Sequence, residues 1–157
     1  MLPPNPPVPF PPIVGGKGEI GADALDTYHI VFDGGSLGNP GHGYGSYAIT
    51  GPDGYAAKET LHYDERGDRV TNNEAEYLTL IAALDRLSRD LGERAGRMRV
   101  SVRGDSQLVI SQLLGVWKVR KEELKPLHYQ ASVLLLRFGR FDLAWQPRAE
   151  TVKVLGH

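Results

Sequence analysis

The sequence predicts an α/β domain built on a five-stranded mixed sheet, with its first three strands antiparallel and helices flanking it. Three observations carry this expectation. Three β-prone runs, 28–32, 43–50 and 55–63, follow one another across turn-rich joints. Tyr77, Leu80, Ile81, Leu84 and Leu87 then recur at helical spacing. After them, strand-like and helical stretches alternate, the order in which parallel strands are joined by covering helices.

The first twelve residues hold seven prolines, which fix φ and remove backbone donors, so residues 1–26 read as a Pro/Gly-rich disordered tail and 27–157 as the domain. The tail is either a spacer or a polyproline ligand for a protein partner's aromatic groove. Tyr28-His29-Ile30-Val31-Phe32 starts the domain and ends at Asp33, before a turn rich in Gly, Asn and Pro from Gly34 to Gly41. Gly51-Pro52-Asp53-Gly54 has the chemistry of a hairpin turn between the next two strands. Thr71-Asn72-Asn73-Glu74 offers an N-cap and a capping-box glutamate for the long helix, which breaks near Gly92. A fourth strand, 98–102, leads to Gly104-Asp105 and a short helix over 106–114; a helix over 121–136 and a strand over 138–145 complete the pattern.

At 157 residues the chain suits one domain with a sizeable core, expected to be monomeric. With no cysteine, disulfides and thiolate metal sites are excluded, and the five histidines show no paired ligand spacing, so a metal has to be held mainly by oxygen. The formal charge of −1 provides no global basic field, so nucleic-acid binding has to be local. No run approaches the roughly 18 apolar residues of a membrane span, and no signal peptide pattern opens the chain, so a cytoplasmic protein without membrane contact is expected.

Asp33, Glu76 and Asp105 each fall where a strand ends or a helix begins, positions from which folding can assemble three oxygen ligands for a divalent metal. Taken singly, Asp33 also suits a turn before glycine and Glu76 a solvated helix face. Glu74, two residues from Glu76, cannot share its face and reads as helix-start capping chemistry.

The ordered set Asp33-Gly34, Asn39-Pro40-Gly41, Thr71-Asn72-Asn73 with Ala75-Glu76-Tyr77, and Asp105-Ser106-Gln107 resembles type 1 ribonuclease H from about Tyr28 to Arg148. The resemblance implies the ribonuclease H fold and an endonuclease that cuts the RNA strand of RNA/DNA hybrids, leaving 5′-phosphate and 3′-hydroxyl ends. It assigns Asp33, Glu76 and Asp105 to holding two Mg²⁺ or Mn²⁺ ions, which activate water and stabilise the leaving oxygen. It also implies minor-groove contacts from Asn72, Asn73 and Gln107 and a phosphate contact from Thr71. Amides both donate and accept, which suits reading 2′-hydroxyls.

The chain departs from the family at two places. It lacks a basic Trp-rich handle, resembling the handle-less branch, and retains a small patch of Trp117, Lys118, Arg120 and Lys121. That patch either seats a DNA backbone, through Trp117 and Lys118 above all, or has Trp117 in the core with solvated cations. After Trp145-Gln146-Pro147-Arg148, the family's Asn and Asp are replaced by Thr151 and Leu155, leaving the fourth carboxylate missing. The candidate substitutes are Glu150 and His157, the latter through its imidazole or terminal carboxylate and provided that 151–157 folds back without a helix; the remaining possibility is a frayed end. Without a fourth ligand, the alternative function is a noncatalytic module that binds hybrid.

Overall fold

The computed structural model describes residues 14–15 and 26–156. Its sheet has the strand order β1-β6-β5-β2-β3-β4. The strands are β1 (Val14–Gly15), β2 (Thr27–Leu37), β3 (His42–Thr50), β4 (Ala56–His62), β5 (Arg99–Gly104) and β6 (Arg140–Trp145). β2, β3 and β4 form the expected antiparallel meander, and β5 and β6 add in parallel beside β2. The two-residue β1 pairs antiparallel with β6 and adds a sixth strand to the five expected, inside the stretch read as an unpaired tail. The rest of that tail, and the groove-binding reading of its prolines, lie outside the described residues.

Four helices cover the sheet: α1 (Asn72–Leu91), α2 (Gln107–Leu113), α3 (Lys125–Leu135) and α4 (Arg148–Leu155). The capping box is present: the Thr71 side chain accepts from the Glu74 amide, and Glu74 accepts from the Thr71 amide at 3.1 Å. The apolar face of α1, with Tyr77, Leu80, Leu84 and Leu87, closes on Ile30, Phe32, Tyr47, Ile49, Val100, Val102 and Leu143 of the sheet. Burial of this contiguous set is the main favourable term holding helix to sheet.

Three boundaries differ from expectation. β2 continues past Asp33 to Leu37, because Gly34 and Gly35 pair with Gly45 and Tyr44 of β3 rather than entering the turn. The helix expected over 121–136 splits into a 3₁₀ turn at Glu122–Leu124 and α3, whose first turn carries Pro126, a residue with no amide to donate. Residues 148–155 form α4 rather than an extended return. Pro147 precedes it, Gly156 ends it in the left-handed region at φ 87°, and Thr151 and Leu155, one turn apart, are buried against the sheet.

Candidate active site

Two features of backbone packing bring the carboxylates together. The parallel register pairs Phe32 of β2 with Gly104 of β5, so the next residues, Asp33 and Asp105, lie side by side at one end of the sheet. Gly34 lets the first turns of α1 approach: a Cβ there would lie 2.6 Å from the Ala75 carbonyl carbon and 2.7 Å from the Glu76 amide nitrogen. Glu76 is thereby set over the two aspartates.

All three carboxylates line a cavity of about 450 Å³ together with Gly35, Tyr44, Asn72, Trp145 and Arg148. Asp33 is buried at 7% exposure, despite sitting in mid-strand rather than at a strand end. Burial pushes the Glu76 carboxyl up to about 8; a hydrogen bond with Ser106 opposes this, the charges of Asp33 and Asp105 add to it, and Arg148 opposes it. Arg148, the first residue of α4, places Nη1 3.3 Å from Asp105 Oδ2 and 3.7 Å from Asp33 Oδ2. The Trp145 indole donates to the Asp105 carbonyl at 3.2 Å.

Among the described residues, no group of three or more His, Asp or Glu side chains is arranged as placed to hold a metal ion. The guanidinium of Arg148 instead supplies positive charge between the two aspartates. The donor chemistry nevertheless fits a hard cation: three carboxylates line one polar cavity.

A second cavity of about 380 Å³ adjoins the first and shares Glu76, Asp105 and Trp145 with it. Asn73, Ser106, Gln107, Leu108 and Trp117 form the rest of its lining. Gln107 lines this groove with part of its side chain, while its Oε1 is buried without a hydrogen-bond partner. Asn72 is engaged differently: its Oδ1 accepts from the Ser36 amide at 2.8 Å and its own amide donates to Asn39 Oδ1 at 3.0 Å. It ties the β2–β3 turn to the start of α1, while its side chain still borders the first cavity.

Other expectations change. Thr71 lines neither cavity; its hydroxyl is used by the capping box. Trp117 is a core residue at 5% exposure with one edge on the second cavity, which favours the core reading over a seat for the DNA backbone. Lys118 is exposed and lines neither cavity, and its backbone carbonyl accepts from Gln112 Nε2 at 3.2 Å. Glu150 is exposed and paired with Lys153 at 2.9 Å, outside the cavity lining, because α4 turns it to solvent. His157 lies outside the described residues. Sequence reasoning passed over Arg148; the signal available was Pro147 followed by apolar-facing positions 151 and 155 at helical spacing, which places Arg148 at a helix start above the site.

The family model that matches residues 41–154 is described as reverse transcriptase-like. A Mycobacterium tuberculosis protein described as bifunctional is 40% identical over 121 residues, covering 76% of this chain and 31% of that protein. The solved N-terminal RNase H domain of that protein superposes with a TM-score of 0.67 at 36% identity, covering 82% of this chain and 87% of that one. Ribonuclease HI of Halobacterium salinarum is 38% identical over 124 residues, 77% of this chain and 57% of the relative. Its crystal structure gives a TM-score of 0.66 at 34% identity, covering 82% and 93% of the two chains. A compost-derived ribonuclease H1, crystallised in complex with RNA/DNA hybrid, gives 0.70 at 30% identity, covering 80% and 89%. The chain thus spans about a third of the mycobacterial relative and just over half of the halobacterial one. With the strand order, the carboxylate geometry and these matches in agreement, the chain belongs to the type 1 ribonuclease H family, within the reverse transcriptase-like group.

Proposed function

We propose that the domain is a divalent-metal-dependent endonuclease that hydrolyses the RNA strand of RNA/DNA hybrids, leaving 5′-phosphate and 3′-hydroxyl ends. The observation that carries this reading is the convergence of Asp33, Glu76 and Asp105, from three different elements, on one cavity that adjoins a groove lined by Asn73 and Gln107. These three side chains would hold two Mg²⁺ or Mn²⁺ ions. When bound, such ions supply charge neutralisation, activation of water, and stabilisation of the leaving oxygen.

The chain's own residues have separable tasks. Asp33 and Asp105, fixed by the β2–β5 register, set the carboxylate spacing. Arg148 gives up its carboxylate contacts and turns to the phosphate, for which a guanidinium is suited. Asn73 and Gln107 line the second cavity, where a side-chain amide suits a hydrogen bond with a 2′-hydroxyl, a contact that DNA cannot make. Trp145 holds the backbone at Asp105.

One observation favours a second reading, a noncatalytic hybrid-binding module. Leu155 is buried and Glu150 faces solvent, so among the described residues no fourth carboxylate lines the cavity. A labelled hybrid incubated with Mg²⁺ or Mn²⁺ separates the two. The enzyme reading expects cleavage by wild type that disappears in Asp33→Asn and Asp105→Asn. Hybrid binding with cleavage no faster than in those variants would leave only the binding module.

A further inference from the structure

Away from the carboxylates, β3 and β4 bring two imidazoles together. The register pairs Tyr44 with His62, and His42 lies two residues from Tyr44, so His42 and His62 are diagonal neighbours on one face of the sheet. His42 Nε2 is 3.2 Å from His62 Nδ1, and the ring centroids are 5.4 Å apart at an interplanar angle of 30°. Asp64, just past β4, places Oδ1 3.4 Å from the other ring nitrogen of His42, Nδ1.

We propose that His42 and His62 form a two-nitrogen chelate for a borderline divalent transition metal, with zinc as the reference ion, separate from the carboxylate site. Two nitrogens each about 2.0–2.1 Å from a tetrahedral ion stand roughly 3.3 Å apart, close to the separation already present. A small rotation of the rings turns both lone pairs toward a common point. On binding, His62 moves its proton from Nδ1 to Nε2 by exchange with solvent, so the metal stands between two neutral imidazoles where the shared proton had been. Asp64 fixes the tautomer: a carboxylate facing Nδ1 keeps the proton there and leaves Nε2 as the ligating atom, the arrangement that accompanies histidine ligands generally.

Both side chains are accessible. The His42 side chain is 30% exposed and His62 is an exposed residue, so water can complete the coordination. No third protein ligand is required, in keeping with the lack of any three-residue set among the described residues. Ligand softness separates the two sites: imidazole selects Zn²⁺, Ni²⁺ or Cu²⁺, whereas the carboxylates select Mg²⁺ or Mn²⁺. Tyr44 lies between the sites, sharing the His42 face of β3 and lining the carboxylate cavity.

The test is calorimetric titration of Zn²⁺ into the full chain with Mg²⁺ in large excess to saturate the carboxylates. One Zn²⁺ per chain in the micromolar range is expected. His42→Ala and His62→Ala should each weaken binding at least about tenfold, and Asp64→Asn by a smaller factor. Circular dichroism and hybrid binding check that the exposed-site variants remain folded. Electron paramagnetic resonance with Cu²⁺ in place of zinc should report two nitrogen ligands in wild type and fewer in His62→Ala. Absence of Zn²⁺ binding by wild type, or equal affinity in wild type and His62→Ala, overturns the proposal. Neither result depends on whether the hybrid is cleaved.

Discussion

Arg148 Nη1 lies 3.3 Å from Asp105 Oδ2 and within 3.7 Å of Asp33 Oδ2, so a guanidinium stands where the carboxylates would share positive charge with a metal. Arg148 and a divalent ion therefore compete for the same oxygens. Its side chain is 65% exposed, and an exposed pair of this kind stabilises by at most about 1 kcal/mol, equivalent to roughly a fivefold change in affinity. Arg148→Ala is expected to bind Mn²⁺ a few-fold more tightly and to cleave hybrid more slowly, because the phosphate loses its cationic partner. Weaker Mn²⁺ binding in the variant would show that Arg148 supports the ion instead of competing with it.

Gly34→Ala tests how the site is assembled. The new Cβ would meet the Ala75 carbonyl group at 2.6 Å and the Glu76 amide nitrogen at 2.7 Å, and backbone cannot rotate away as a side-chain tip can. Overpacking of this type costs about 1–3 kcal/mol. The same displacement lifts Glu76 from the aspartates. Urea unfolding should show the stability loss, and cleavage should fall by more than the folded fraction accounts for. A variant with full specific activity would mean that the close approach of α1 to β2 does not set the Glu76 position.

The fold was legible in the chain because its signals are local. Turn residues at 51–54, the capping box at Thr71 and Glu74, and the helical spacing from Tyr77 to Leu87 each specify one element, and each is found. That Asp33, Glu76 and Asp105 meet at one cavity was legible through their motif. What was not legible depends on partners distant in sequence. β2 runs past Asp33 because Gly34 and Gly35 find Gly45 and Tyr44, and Val14–Gly15 becomes a strand only because β6 offers an edge. Asn72 suggests a substrate contact from its neighbours, yet its amide and side chain are also tied to Asn39 and Ser36, more than thirty residues away. α4 was missed because eight residues with two buried positions give a weak periodic signal, and the loss of the family's Asn and Asp drew attention from Pro147 as a helix start.

Asp142 on β6 gives a pH dependence independent of the active site. It is fully buried and accepts from Ser101 at 2.7 Å, from Arg103 at 2.9 Å and from Arg99. Burial by itself would raise its carboxyl, but the hydrogen bonds from Arg103, Ser101 and Arg99 together hold it below the ordinary carboxylate range. A carboxylate with a depressed folded-state pKa contributes stability that is complete above its unfolded value and is lost as pH falls through the folded one. Asp142→Asn should therefore cost about 3 kcal/mol at neutral pH, and the difference from wild type should shrink as acid protonates the native carboxylate. Thermal unfolding across the acid limb measures this; coincident wild-type and variant curves would show that the ion pairs add no net stability.

Gln107 tests the groove by its chemistry. Its side chain lines the second cavity, where its amide is placed to share a hydrogen bond with a ribose 2′-hydroxyl, worth about 1 kcal/mol. Gln107→Leu keeps an apolar body of similar size and removes that amide. It should weaken hybrid binding by about fivefold while leaving the weaker affinity for duplex DNA nearly unchanged, so discrimination between the two duplexes narrows. Fluorescence anisotropy with both duplexes, in Ca²⁺ to limit cleavage, provides the comparison. Equal losses on hybrid and DNA would assign Gln107 to general groove shape, whereas a selective loss on hybrid would identify it as the residue in the second cavity that detects ribose.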